Sequence, residues 1–99
     1  MNEIVLGPVS RFDQELPAEV ELEGRPCYVL KDGETFRLVS RKCPHAGQWV
    51  EWEDGELVCP MHGWTFNPHT GACLNVPAKG LAEFKVIQRD GELIAQLQE

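Results

Sequence analysis

The sequence predicts an all-β domain, a small antiparallel sandwich or open barrel with a loop-rich excursion inserted into it. Three observations carry this. Short stretches of β-branched, aromatic and other apolar residues recur between turn residues. The tripeptide Asp-Gly-Glu occurs three times, at Asp32-Gly33-Glu34, Asp54-Gly55-Glu56 and Asp90-Gly91-Glu92. Asp-Gly between extended segments favours a two-residue hairpin, because glycine takes the positive φ that such turns need. Long helical periodicity is absent.

The strands follow in order. Ile4–Val9, Ala18–Leu22, Cys27–Lys31 and Thr35–Ser40 read as extended, and Arg11–Leu16 as a single helical turn. Leu57–Cys59, Thr65–Asn67, Glu83–Arg89 and Glu92–Leu97 complete the set. Lys31–Glu34 and Arg89–Glu92 each join two neighbouring strands. The acidic residues of these turns serve turn geometry and solubility. Between Arg41 and about Gly80 the composition changes. This stretch holds all three histidines, all three tryptophans, three of the four cysteines and four prolines, Pro44, Pro60, Pro68 and Pro77. It reads as a ligand-binding excursion, approximately 41–80, within one domain spanning 1–99, since 99 residues make one small core.

Charge and hydropathy narrow the function. The hydrophobic fraction of 42% is enough for a core, and the formal charge of −7 with a pI near 4.9 disfavours nucleic acid and anionic membrane surfaces. It suits a partner with a basic docking patch. No window approaches the 18 apolar residues of a membrane span. Met1–Gly7 is short, is interrupted by Glu3 and lacks the basic start of a signal peptide. The expectation is a soluble cytoplasmic protein, monomeric, whose cysteines serve metal or thiol chemistry before disulfides.

Two runs carry the chemistry: Cys43-Pro44-His45-Ala46-Gly47 and Cys59-Pro60-Met61-His62-Gly63-Trp64. Each offers one thiolate and one imidazole. Pro44 and Pro60 stiffen the residue after each cysteine. Gly47 and Gly63 allow close backbone approach, so that amide N–H groups can point at bound sulfide. The candidate ligands are Cys43, His45, Cys59 and His62. Two sulfur and two nitrogen donors suit a two-iron, two-sulfide cluster or a structural zinc ion. Zinc sites usually pair Cys with Cys and His with His along the chain, which this order does not do. His69, in Asn67-Pro68-His69-Thr70-Gly71, reads as a solvated turn residue, and Cys27 and Cys73 as buried thiols. Trp64 and Phe66 flank the second run and shield whatever it holds. Trp49 and Trp52 fit either the base of the domain or a docking surface.

These two runs resemble the Rieske iron–sulfur family. Thr65-Phe66-Asn67, Thr70-Gly71, Pro77 and the closing hairpin at Asp90-Gly91 follow the order of a Rieske ferredoxin domain, and the likeness covers nearly the whole chain. The resemblance implies a 2Fe–2S cluster with Cys43 and Cys59 on one iron and His45 and His62 on the other. It also implies a loop around Asn75–Lys79 that covers the cluster with Pro77. The spacer from Ala46 to Val58 is a little shorter than is usual in the family. Rieske proteins of the respiratory and photosynthetic complexes resemble this chain but carry an extra disulfide-forming cysteine in each loop, where this chain has Gln48 and Met61. They also carry a serine and a tyrosine whose hydroxyls bond sulfur, where this chain has Trp64 and Phe66. Loss of those hydrogen bonds, with the high negative charge, implies a soluble low-potential ferredoxin.

The function implied is one-electron transfer, from a flavin-dependent reductase to a terminal oxygenase. The histidine edges are the exit. The rival is a small Rieske-like subunit of a larger reductase, such as assimilatory nitrite reductase, and a third is a zinc-binding, non-redox module. The chain is not expected to be an enzyme by itself. An oxygenase needs a further iron held by two histidines and a carboxylate, and only His69 remains.

Overall fold

The computed structural model describes residues 2–13, 16–43, 49–60, 63–75 and 80–97. Among them run nine strands: β1 Asn2–Pro8, β2 Ala18–Leu22, β3 Arg25–Asp32, β4 Thr35–Ser40, β5 Glu51–Glu53, β6 Glu56–Cys59, β7 Trp64–Phe66, β8 Glu83–Arg89 and β9 Glu92–Leu97. All pairings are antiparallel. Six strands form one nearly closed sheet in the order β1-β9-β8-β4-β3-β2, and three form a second in the order β5-β6-β7. The small sheet lies between β4 and β8 in the chain, yet β4 and β8 pair directly through Leu38↔Phe84 and Val39↔Glu83. The predicted all-β class, with an excursion inserted into a β base, is the architecture observed.

The helical turn lies earlier than expected. It is a 3₁₀ turn at Val9–Asp13, drawn inward by fully buried Phe12 and tied by the Val9 N–H to the Gly91 carbonyl at 2.9 Å. Strand β5 was not expected. All three of its residues are exposed, so it has no buried face to produce alternation.

One tripeptide makes two kinds of turn. At Asp54-Gly55 and Asp90-Gly91 both residues have positive φ and sit between the last ladder pairs, Glu53↔Glu56 and Arg89↔Glu92. This is the type I′ pattern. At the first copy Asp32 remains in the ladder opposite Thr35, and of the two loop residues Gly33 and Glu34 only Gly33 has positive φ. That is the type II′ pattern, one residue along from the expected register. Arg37 also reaches Asp32, at 3.4 Å. A fourth two-residue hairpin, Glu23-Gly24, joins β2 to β3.

Successive strand residues face opposite sides, and β3 is buried on both. Cys27 and Val29 point into a core with Phe12, Leu22, Phe36, Leu38, Leu93 and Ala95, the interior of the curled sheet. Tyr28 and Leu30 point the other way, with Val39, into a second core. That second core is completed by Val50, Leu57 and Phe66 from the small sheet and its approach.

Two features fasten the small sheet to the large one. Arg41 donates from Nε to the Val50 carbonyl at 3.0 Å, pairs with Glu19, and lies over the Tyr28 ring 4.8 Å from its centre. Burial pushes the Tyr28 phenol above its usual range, and the Arg41 charge offsets part of that. Gly71 is the other fastening. Its φ is +77°, its carbonyl accepts from Leu81 N–H at 2.9 Å, and a Cβ there would lie 3.1 Å from Val39 Cγ1.

Three predictions follow from this packing. Gly33→Ala meets open space and costs about 1–2 kcal/mol through backbone strain alone, whereas Gly71→Ala costs a further 1–3 kcal/mol or so from overpacking; urea midpoints of the two variants check the order. Arg41→Ala, at a side chain only 17% exposed, costs about 1–3 kcal/mol, while Glu19→Gln at its 66% exposed partner changes stability by roughly 0.5 kcal/mol or less. Glu3, on β1, receives Arg89 at 3.0 and 3.2 Å and Gln96 at 3.0 Å. The Arg89 and then the Gln96 hydrogen bonds hold its carboxyl below the usual 4.5. The unfolded chain therefore binds this proton more readily, and the clasp stabilises fully above that pH and fades as pH falls below it. Thermal melts from pH 7 to pH 3 should show the wild-type advantage over Glu3→Gln shrinking toward the acid end.

Candidate metal centre

Alternation along two short strands places the second thiol. Across β6 and β7, Leu57 stands opposite Phe66 and Cys59 opposite Trp64. These four share one face of the small sheet, and that face packs on the base. Leu57, Cys59 and Phe66 are fully buried, and Trp64 is half-buried against them. Cys43 leaves the end of β4 and enters the same core at 1% exposure. The structure thus brings Cys43 and Cys59 into one apolar cluster, each at the head of the run that carries its histidine. His45 and His62 lie outside the described residues, as do Pro44, Gly47, Gln48, Met61 and Pro77.

The second run closes on itself. Gly63 N–H donates to the Cys59 carbonyl at 2.9 Å. The Gly63 amide is therefore committed to the turn that follows the cysteine. Downstream, Asn75 fastens the chain beside β7. Its Oδ1 accepts from Thr65 N–H at 2.8 Å and from Thr65 Oγ1 at 3.4 Å, and Leu74 N–H donates to the Thr65 carbonyl at 2.9 Å. This anchor was not foreseen; no local pattern links Thr65 to Asn75 across the intervening turn. Of the loop expected around Asn75–Lys79 to cover the centre, Asn75 marks the described beginning.

The other candidates take separate places. His69 is exposed in the expected turn, where Asn67 Oδ1 accepts from the His69 and Thr70 amides at 2.7 and 3.1 Å. Its Nδ1 lies 2.9 Å from the Lys31 carbonyl. Since a carbonyl only accepts, Nδ1 carries the proton. Cys27 is in the curled-sheet core, where burial raises its thiol above the usual range. Cys73 packs in the same cluster as Cys43 and Cys59. Among the described residues no three His, Cys, Asp or Glu side chains converge on a metal-sized point. Trp49 and Trp52 are 48% and 43% exposed, so neither belongs to the core. No helix among the described residues is long and apolar enough to cross a membrane.

Residues 2–94 match the model of the Rieske [2Fe-2S] domain family. Two relatives are similar in sequence. The chain is 34% identical over 71 residues to the chloroplastic protein TIC 55 of Arabidopsis thaliana, covering 65% of this chain and 12% of that one. It is 38% identical over 64 residues to a candidate Rieske subunit of respiratory nitrate reductase in Haloferax mediterranei, covering 61% and 29%. The chain thus spans under a third of the length of either relative.

Three solved structures share the fold. The plasma-membrane Rieske protein PetC3 of Synechocystis PCC 6803 superposes with a TM-score of 0.79 at 23% identity, over 95% of this chain and 99% of that one. The ferredoxin of carbazole 1,9a-dioxygenase from Nocardioides aromaticivorans IC177 gives 0.70 at 20% identity, over 99% and 100%. A candidate NADPH nitrite reductase small subunit gives 0.65 at 18% identity, over 98% and 100%. The family model spans both thiol-bearing runs and the strands that bury them, and so the chain belongs to the Rieske [2Fe-2S] domain family, whose members bind a Rieske-type 2Fe–2S cluster and transfer electrons.

Proposed function

We propose that this chain is a one-electron carrier whose cluster is held by Cys43, His45, Cys59 and His62, within a cluster-binding part of about 41–80. The observation that carries the reading is the burial of Cys43 and Cys59 in one apolar core, each immediately before an imidazole-bearing run. Two thiols in that setting fit a cluster that needs two thiolates and two imidazoles. The cluster, when bound, supplies reversible uptake of one electron. The protein excludes water on the cysteine side and sets the potential. As iron ligands, His45 and His62 would provide the exit for the electron. The source is a flavin-dependent reductase and the acceptor a terminal oxygenase. The full-length fold likeness to the carbazole dioxygenase ferredoxin supports this partner class. A second reading, a lasting small subunit of a nitrite or nitrate reductase, is supported by the similarity to the candidate nitrite and nitrate reductase subunits.

Phe66 and Trp64 bear on the potential. Neither offers a hydroxyl to a sulfur, and hydrogen bonds to sulfur stabilise the more negative reduced cluster. The expected potential is around −150 mV, the low end of the Rieske range. Phe66→Tyr should raise it by roughly 40–60 mV, the one-electron equivalent of a hydrogen bond of about 1–1.5 kcal/mol. Protein-film voltammetry checks both values, and a wild-type potential well above zero would overturn the low-potential assignment.

Ligation is tested on the purified protein by iron and acid-labile sulfide analysis with electron paramagnetic resonance of the dithionite-reduced sample. Two irons and two sulfides per chain are expected, with the rhombic signal lost in Cys43→Ser, Cys59→Ser, His45→Ala and His62→Ala. Zinc without sulfide would sink the carrier reading. Pull-down from native extract separates the two redox readings: a stoichiometric complex that survives high salt favours the subunit.

A further inference from the structure

We propose that Arg41 tunes the potential of the metal centre as a cation held against the layer that carries both thiols, with Glu19 opposing it. This tuning rests on the carrier reading, since only a bound cluster has a potential to tune. Arg41 follows β4 directly and stands two residues before Cys43, a backbone span of at most about 7 Å. Val39 and Cys43 are both buried in the layer between the sheets, and Arg41 falls between them on the same side of the alternating chain. Its guanidinium lies over Tyr28, a member of that layer. Arg41 also closes the base of the first ligand run. Its carbonyl accepts from Val50 N–H at 2.6 Å, and its Nε donates to the Val50 carbonyl at 3.0 Å. One step inward, Lys42 and Trp49 form a β-bridge. Cys43 is the first residue inside this double clasp, so the same bonds that shut the run hold the charge in place.

The ion pair is asymmetric. The Arg41 side chain is 17% exposed and that of Glu19 is 66% exposed. Glu19, on β2, stands opposite Tyr28 of β3, and Tyr28 opposite Val39 of β4. Two strand spacings, about 10 Å, separate its backbone from that of β4. The guanidinium reaches across Tyr28 to meet it. Water screens the outlying carboxylate more than the half-buried cation, so the two charges do not cancel at Cys43. One added electron makes the centre more negative. A fixed cation nearby favours that reduced form, and a fixed carboxylate opposes it. Neutralising Arg41 therefore lowers the potential, and neutralising Glu19 raises it. Loosening the clasp has no reason to act with opposite signs at the two partners of one pair. The Glu3–Arg89 pair supplies the comparison. It joins β1 to β8, and among the described residues β1, β8 and β9 send no side chain into the thiol-bearing layer.

Protein-film voltammetry is run at one pH on cluster-loaded wild type, R41Q, R41K, E19Q and R89Q. At a fixed electrode potential the reduced-to-oxidised ratio should fall about fivefold in R41Q, equivalent to about 40 mV, and rise about twofold in E19Q, equivalent to about 20 mV. R41K keeps the charge while giving up the Nε bond, and its ratio should stay near that of wild type. R89Q should leave the ratio unchanged. Circular dichroism and iron content confirm that each variant is folded and loaded. Glu19 is exposed, so E19Q folds even where R41Q does not, and a ratio in E19Q that fails to rise would overturn the proposal. So would a shift in R41K as large as that in R41Q, which assigns the effect to the clasp, or an equal shift in R89Q, which assigns it to net charge. Zinc without sulfide in the wild type removes the carrier reading and this tuning together. A reducible cluster indifferent to Arg41 and Glu19 removes the tuning alone.

Discussion

Strand β3 is buried on both faces, and the two sets of side chains it sends out belong to different cores. Cys27 and Val29 fill the curled sheet, while Tyr28 and Leu30 fill the layer beneath the small sheet. Strand β4 repeats the division, with Phe36 and Leu38 on one side and Val39 on the other. A three-stranded sheet whose β5 has no buried residue cannot supply a core of its own. It is stable because the wall formed by β3 and β4 offers it a finished apolar face. Arg41 and Gly71 then set its position, one through a guanidinium reaching Val50 and Tyr28, the other through a close approach to Val39 that leaves a side chain little room.

That dependence explains where the thiols lie. Cys43 and Cys59 are not displayed on loop tips; they are members of the layer between the two sheets. Their neighbours are Val50, Leu57, Phe66 and Leu81, so both thiols lie in an apolar layer closed to solvent. Metal binding to such thiols is coupled to folding, because the pocket for the sulfurs exists only when the sheets are apposed. The polar anchors lie outside this layer. Asn75 secures the chain beside β7 through Thr65, which points away from the core that Trp64 and Phe66 face.

Much of this was legible in the sequence because punctuation was strong. β2, β4, β8 and β9 have the expected bounds, each ending at a glycine-bearing turn or changing composition sharply. β5 was invisible because Glu51, Trp52 and Glu53 have no inward member. The turn at Gly33-Glu34 was displaced by one residue because the identity of the tripeptide does not say whether its Asp stays in the ladder; Arg37, five residues on, also holds Asp32. The resemblance pointed to Cys43 and Cys59, and alternation explains the burial of Cys59, but the joint made by Arg41 spans Glu19, Tyr28 and Val50 and has no local signature. The positions of His45 and His62 lie outside the described residues.

Packing and redox tuning meet at the same two side chains. Phe66 is fully buried against Leu57 and Cys59, and Trp64 covers Cys59 from the neighbouring strand. A hydroxyl at either place would have to find a partner in that layer or bear the cost of an unsatisfied buried polar group, about 1–3 kcal/mol. A bound sulfur is such a partner, and a hydrogen bond to it raises the potential. Phe66 brings no polar atom to the layer and Trp64 no hydroxyl, so neither position holds a buried hydroxyl that a bound sulfur would have to satisfy. The low potential proposed for this carrier would then be the electrochemical consequence of an apolar solution to a packing problem.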